Sequence, residues 1–216
     1  MAEFSTSIQF LSDRVDAANS LMNDIKREFS EIKKENEQLQ MSNKLMSREL
    51  VELKDRVRNL EQYSRRNNVE ISGIPATPNE DVNKIIQDVG TAIGMEVQKE
   101  DITAAHRIPI YKKERIPSVV VQFRERSLRD TWISKFRETK TLNVYQVNKH
   151  FPQNQIVCVN EHLSPDNKLF LATLKKKCRE LTYAFVWCRE GKFFIRKSEG
   201  GKVQRVNSFH EIENLK

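Results

Sequence analysis

The sequence of 216 residues predicts an α+β protein with a long N-terminal coiled coil, a ferredoxin-like βαββαβ domain and a small α+β C-terminal domain. Three observations support this. An apolar stripe advances by alternate steps of three and four residues from Phe4 to Leu60. Beyond it, strand-like and helix-like segments alternate in the order β, α, β, β, α, β. A capped helix and a hairpin pattern then follow. We place the domains at residues 1–66, 67–162 and 163–216.

The stripe keeps one register for roughly eight heptads, which predicts a left-handed coiled coil. An amphipathic helix of this kind needs partner helices, so we expect the chain to associate with itself. The d positions are Phe4, Leu11, Ala18, Ile25, Ile32, Leu39, Met46, Leu53 and Leu60, and the a positions are Ile8, Val15, Met22, Phe29, Asn36, Asn43, Leu50 and Val57.

The end of the coil favours a parallel homotrimer, with a homodimer as the alternative. Arg56 at g and Glu61 at e flank the apolar pair Val57 and Leu60, as in the short motif of three-stranded coils, where the arginine reaches a neighbour's glutamate. Asn at two successive a positions either fixes register or marks a soft spot. The residues expected to direct oligomerisation are Asn36, Asn43, Leu50, Leu53, Arg56, Val57, Leu60 and Glu61.

The middle domain is read from alternation, helical spacing and caps. Asn79-Glu80-Asp81 opens a helix, and Ser127 with Asp130 three residues later predicts the start of another. The second helix should face inward with Trp132 and outward with Arg129. The expected strands are Val69–Gly73, Ile102–Ile108, Ser118–Arg124 and Gln155–Asn160, the expected helices run to about Gly94 and Lys140, and residues 109–117 form a loop.

The C-terminal domain begins at Ser164-Pro165-Asp166, which combines an N-cap, a proline at N1 and an acidic first turn. Its helix should run to about Leu181. Glu190-Gly191 then forms the turn of a hairpin. The expected strands are Tyr183–Arg189, Lys192–Lys197 and Lys202–Val206, and Ser208 starts a terminal helix.

Charge is distributed unevenly along the chain. Residues 1–62 hold 10 basic and 12 acidic side chains, which leaves 27 basic and 18 acidic side chains for residues 63–216. The globular half is therefore basic and suits a polyanionic partner, nucleic acid first. Three scattered cysteines and four scattered histidines show neither a disulfide nor a metal pattern. No catalytic motif or cofactor-binding motif is found, so we expect neither an enzyme nor a cofactor.

Several segments resemble one family of proteins. They are Leu60–Pro75, Ala105–Pro109, Val159–Pro165, and Tyr183–Trp187 followed by Gly191-Lys192. The chain resembles the first-open-reading-frame proteins of LINE-type non-LTR retrotransposons and the few-polyhedra protein of baculoviruses. The resemblance implies a trimeric stalk and an RNA-recognition-type middle domain. It also implies a chaperone that binds single-stranded RNA or DNA with little sequence preference, in cytoplasmic ribonucleoprotein particles or the nucleus.

The candidate nucleic-acid-binding residues form three groups: Arg65 and Arg66 at the coil exit; Arg107, Lys112, Lys113 and Arg115 on the second strand and its loop; and Lys175, Lys176, Arg179, Lys192, Arg196, Lys197 and Lys202 in the C-terminal domain. We expect them to converge on one groove and to contact phosphates.

Base stacking should be weak, because the central strands offer only Phe123, which alternation places in the core. Tyr183 and Trp187 could stack bases, but we expect Trp187 to be buried against the helix. The alternative function is a coiled-coil structural or adaptor protein, viral or domesticated, whose basic domain docks an acidic protein. No apolar run reaches the roughly 20 residues of a membrane span.

Overall fold

The computed structural model describes residues 2–109 and 116–215. Contacts between Cα atoms divide the chain into two units, residues 1–56 and residues 57–216. The described residues of the first unit, 2–56, are all helical. The second contains the end of that helix and all of the strands.

Helix α1 (Ala2–Ser64) is the long helix that the heptad pattern predicts. It ends at Ser64, where the repeat lacks an apolar residue. The seam side chains are exposed along this single chain, including Leu39 at 62%, Met46 at 52% and Leu53 at 51%. Because a long apolar stripe needs a partner surface, association through this seam stays a prediction.

The middle domain contains one antiparallel sheet in the order β2-β3-β1-β5-β4. Its strands are β1 (Asn68–Ser72), β2 (Ile102–Arg107), β3 (Val119–Phe123), β4 (Leu142–Asn143) and β5 (Ile156–Glu161). The run β2-β3-β1-β5 is the predicted ferredoxin-like order. The helices are α2 (Val82–Ala92), α3 (Arg126–Thr139) and α4 (Val144–Val147). Strand β4 and helix α4 were not predicted, since elements of two and four residues show no measurable period.

The helices of this domain cover one face of the sheet. Trp132 of α3 is fully buried and meets Phe123 edge to face, with ring centroids 5.2 Å apart. Asp81 caps α2 as predicted by accepting hydrogen bonds from the amides of Asn83 and Lys84. The predicted cap of α3 is wrong: the helix begins at Arg126, and Ser127 already lies inside it with its hydroxyl on the Glu125 carboxylate.

The C-terminal domain has a core of its own. Strands β6 (Phe185–Arg189), β7 (Lys192–Arg196) and β8 (Gln204–Val206) form an antiparallel sheet in that order. Helices α5 (Pro165–Glu180) and α6 (Phe209–Glu213) cover one of its faces. The core residues include Phe170, Leu174, Cys178, Phe193, Ile195, Val206 and Ile212. Both residues of the β6–β7 turn have positive φ, Glu190 at 55° and Gly191 at 69°, as a tight hairpin requires.

The last turn of α1 is built into the globular unit. The side-chain Nε2 of Gln62 donates a hydrogen bond to the His162 carbonyl at 3.1 Å. The side-chain Oε1 of Gln62 accepts from the Ser164 backbone amide at 3.1 Å and from Asn167 Nδ2 at 2.8 Å. Arg58 donates to the Asn207 carbonyl at 2.6 Å. These bonds tie the end of α1 to both ends of the C-terminal domain.

The carboxylate of Glu161 in the middle domain bonds the β6–β7 turn of the C-terminal domain. Glu161 accepts from the amides of Glu190 at 2.7 Å and Gly191 at 2.9 Å. Arg129 Nη2 lies 3.4 Å from the same carboxylate. Arg129 is only 4% exposed, which corrects its predicted place on the outer face of the helix. A charge can be buried here because an opposite charge and backbone donors meet it.

Candidate nucleic-acid interface

The sheet of the C-terminal domain has one face that its helices leave uncovered. In β7, Phe193 and Ile195 point into the core, so alternation turns the other three residues outward. In β6, Val186 and Cys188 pack against the same core and the remaining residues turn outward. This outer face consists of Phe185, Trp187, Arg189, Lys192, Phe194, Arg196 and, opposite Phe194 in the register, Arg205.

Rings and cations interleave across this outer face. Trp187 and Phe194 are cross-strand partners that stack with centroids 5.7 Å apart and planes 21° apart. The Arg196 guanidinium lies 4.2 Å from the centroid of the Phe185 ring. The face therefore presents three aromatic rings and four cations, and none of its seven residues is acidic.

This arrangement overturns the expectation that Trp187 is buried against the helix. Neither hydrophobic core contains Trp187, Phe185 or Phe194. Sequence reasoning also missed Phe185, Arg189, Phe194 and Arg205. Alternation alone could have found them. The buried residues of β7 show which alternate positions of that strand face the core, and the two-residue turn then fixes which β6 residues lie on the same side of the sheet.

The predicted cations of the C-terminal domain do not converge on one surface. Lys192 and Arg196 lie on the outer face of the sheet. Lys175, Lys176 and Arg179 are exposed on α5, in the helical layer that packs on the opposite face. Lys197 lies 5.7 Å from the Tyr183 ring centroid, and Lys202 is exposed in the loop before β8. Lys112, Lys113 and Arg115 lie outside the described residues.

The two arginines at the coil exit differ. Arg65 donates to the Glu61 carbonyl at 2.6 Å and lies 3.8 Å from the Glu61 carboxylate. Arg66 stacks on the Tyr63 ring at 4.3 Å and bonds its hydroxyl at 2.5 Å. Both Arg66 and Tyr63 are exposed, so this pair presents a cation and a ring at the surface of the junction.

Arg107, also predicted to contact phosphate, is committed elsewhere. Its Nε and Nη2 donate to the Glu80 carboxylate, and its other N–H groups donate to the carbonyls of Ile74, Pro75 and Pro117 at 2.6–2.9 Å. The five bonds use all five guanidinium donors. Its side chain is 13% exposed, so we leave it out of the proposed interface.

The open face of the middle sheet does not resemble a base-stacking surface. Its central position is Glu70, which pairs with Lys168 of α5 at 2.7 Å. Strands β1, β3 and β5 place no aromatic residue on this face. Nearby, burial lowers the pKa of His162 to about 4, with the charges of Lys168 and Arg65 acting in the same direction.

The oligomerisation residues all lie on α1. Asn36, Asn43, Leu50, Leu53, Arg56, Val57 and Leu60 are exposed, and Asn36 accepts a bond from Gln40 of the same helix at 2.7 Å. Glu61, expected to be reached by the arginine of a neighbouring chain, is half-buried beside Arg65. Across residues 2–109 and 116–215, no three metal-ligating side chains gather into a cluster. Helices in the same ranges are too polar or too short to cross a membrane.

These features define a class: a protein with a long N-terminal helix, a ferredoxin-like domain and a small C-terminal domain with a basic, aromatic face. Comparison with known families gives the more particular assignment. Residues 66–159 match domain 1 of the baculovirus FP protein, and residues 164–216 match its domain 2. The chain therefore belongs to the baculovirus FP protein family. No match was found among curated proteins.

Proposed function

We propose that the chain is an oligomeric protein that binds single-stranded nucleic acid with little sequence preference and acts as a nucleic-acid chaperone. One observation carries the proposal: the outer face gathers Arg189, Lys192, Arg196 and Arg205 with no acidic residue among them. Such a face attracts phosphates wherever they lie along a strand.

A second candidate function is a coiled-coil structural or adaptor protein that docks an acidic protein. Membership of the baculovirus FP protein family favours it over a role in retrotransposition. The same four cations would serve an acidic surface, so charge alone does not separate the two candidates. Dependence on salt and on the chemistry of the polyanion separates them.

The first test is binding of labelled single-stranded RNA across a salt series. Four phosphate contacts on one face predict a slope of about −2.8 in log affinity against log salt, or about a 50-fold loss between 50 and 200 mM. Changing Arg205 to Ala should reduce the slope by about 0.7. The matched control is Lys175→Ala, since Lys175 is exposed on the helical layer.

Two results would contradict this proposal. RNA that fails to bind even at low salt leaves the adaptor as the better function. Equal effects of Arg205→Ala and Lys175→Ala would show that overall charge, rather than the outer face, attracts the RNA.

The stalk should multiply this affinity. Three copies of a weak basic face on one stalk raise avidity by about 10²–10⁴. We would replace the seam residues Leu39 and Met46 with Asp, and in a control protein the off-seam residues Met41 and Leu45. All four are at least 52% exposed in the single chain, so only self-association distinguishes the pairs.

Light scattering should show a trimer for the parent and the control, and a monomer for the seam variant. RNA binding should weaken only for the seam variant. A parent that scatters as a monomer would refute the oligomeric stalk, and one that scatters as two chains would replace the trimer by the dimer.

A further inference from the structure

We propose that the outer face of the C-terminal sheet is a stacking platform for unpaired bases, centred on Trp187 and Phe194, so that the protein selects single strands over duplexes. This inference rests on the proposed function and specifies its ligand contacts. It reverses the sequence-based expectation that stacking contributes little.

None of the three rings belongs to the hydrophobic core of the C-terminal domain. The core of the C-terminal domain is complete without them, since α5 and α6 cover only the opposite face. Phe185 is 37% exposed although it is a large apolar side chain. The stacked pair of Trp187 and Phe194 lies at the middle of the face, on neighbouring strands. Both central rings are half-buried, so part of each ring reaches the surface. An apolar patch surrounded by polar side chains is typical of a binding site.

The surroundings of the rings favour bases as the occupant. Each of the three cross-strand rows of the face contains a cation: Arg196 beside Phe185, Arg205 beside Phe194, and Arg189 with Lys192. Rows on one face repeat about every 6.6–6.8 Å along a strand. A single strand offers both a π-face and a phosphate at each nucleotide, so it uses rings and cations together.

Other polyanions use only part of this surface. An acidic peptide satisfies the cations and leaves the rings without partners, and a duplex keeps its base faces inside the helix. The middle sheet supplies no substitute, because its open face has Glu70 at the centre and no aromatic residue on β1, β3 or β5. Stacking in this chain therefore falls to the second sheet.

The protein has a built-in reporter for this contact. It contains two tryptophans, and Trp132 is fully buried in the middle domain. Changes in tryptophan fluorescence on adding an oligonucleotide therefore report on Trp187. We would titrate the full chain with oligothymidylate of about 16 nucleotides, the upper end of known site sizes for a small domain. The matched ligand is an abasic strand of the same length, which keeps the phosphates and lacks the bases.

The expected result is quenching by oligothymidylate only, with the abasic strand bound about 5- to 150-fold more weakly. Trp187→Phe should abolish the quenching and bind nearly as tightly, because a ring remains. Trp187→Ala should lose about 5- to 150-fold in affinity for oligothymidylate and little for the abasic strand. The parent protein with the two ligands tests the inference even if Trp187→Ala does not fold.

Three results would overturn the inference, and they are distinguishable. Equal binding of both strands without quenching removes the platform and leaves the proposed function standing. Binding of neither strand removes the proposed function as well. Quenching by polyglutamate as strong as that by oligothymidylate at equal charge would make the face a docking site for acidic protein.

Discussion

Replacing Arg107 with Ala separates a structural arginine from a nucleic-acid-binding one. The side chain fastens the loop after β1 to the end of β2, through the carbonyls of Ile74 and Pro75 and the carboxylate of Glu80. It also holds the Pro117 carbonyl at 2.6 Å. Removing it would leave one carboxylate and three carbonyl oxygens without their donor.

The size of the effect follows from burial. Both members of the ion pair are well covered, with side-chain exposures of 13% for Arg107 and 15% for Glu80. Removing one partner of a buried pair costs about 3–5 kcal/mol, since the other charge loses its counterpart. At about 2–4 °C per kcal/mol for a chain of this size, the melting temperature should fall by about 10 °C.

The pair also predicts a pH signature. The hydrogen bond from Arg107 lowers the pKa of Glu80 below 4.5, so the pair stabilises the fold above that pH. The contribution is lost as pH falls through the lowered pKa. Arg107→Ala should therefore lower the free energy of unfolding near neutral pH, and it should also remove the part of the decrease at acid pH that comes from protonation of Glu80.

The assay compares denaturant unfolding and RNA binding for Arg107→Ala, with Arg137→Ala as the control. Arg137 is exposed on α3, so its loss should change stability by less than about 0.5 kcal/mol. Folded Arg107→Ala should keep the parent's RNA affinity and salt slope. Unchanged stability with a salt slope reduced by about 0.7 would refute the structural assignment and restore Arg107 to the interface.

Two further predictions concern the junction. Burial lowers the pKa of His162 to about 4, so the neutral imidazole stabilises the fold above about pH 6.5, and this stabilisation is lost as pH falls toward 4. His162→Gln should therefore reduce the pH-dependent change in the free energy of urea unfolding by about 2 kcal/mol. An unchanged pH dependence would contradict this prediction. Gln62→Ala removes three hydrogen bonds and leaves the buried Ser164 amide and the Asn167 side chain without this partner, so the free energy of unfolding should fall by about 2–3 kcal/mol. A loss below about 0.5 kcal/mol would show that the end of α1 is not anchored by Gln62.

Periodicity accounts for most of the fold that the sequence predicts. The heptads run to Leu60 and fail at Ser64, where α1 ends, and alternation places five of the eight strands of the described residues to within one residue at each end. These elements are long or strongly patterned, so their period survives in one sequence. Strand β4 and helix α4 carry too few residues for that, and the start of α3 was missed because Glu125 takes the extended cap conformation ahead of Ser127.

The candidate site was harder to predict because it depends on which face of an element is covered. Sequence composition identifies Lys175 and Lys192 equally as basic residues, yet they lie on opposite layers of the C-terminal domain. The sequence-based expectation buries Trp187 against the helix of this domain. Its position in the alternation, opposite in parity to Cys188, places it outside. The position of a residue in the alternation of its strand therefore predicts whether its side chain lies on the outer face, and residue type does not.

The hydrogen bonds that each guanidinium makes within the fold distinguish structural arginines from candidate phosphate-binding ones better than the surrounding sequence does. Arg107 lies in a family-like motif, but its five donors all have partners inside the fold. Arg129 faces Glu161 and is 4% exposed. Arg196 instead lies on the outer face of the C-terminal sheet, where its guanidinium covers the exposed Phe185 ring. Since a guanidinium binds a phosphate with the donors that the fold has not used, the arginine of the outer face is the better candidate.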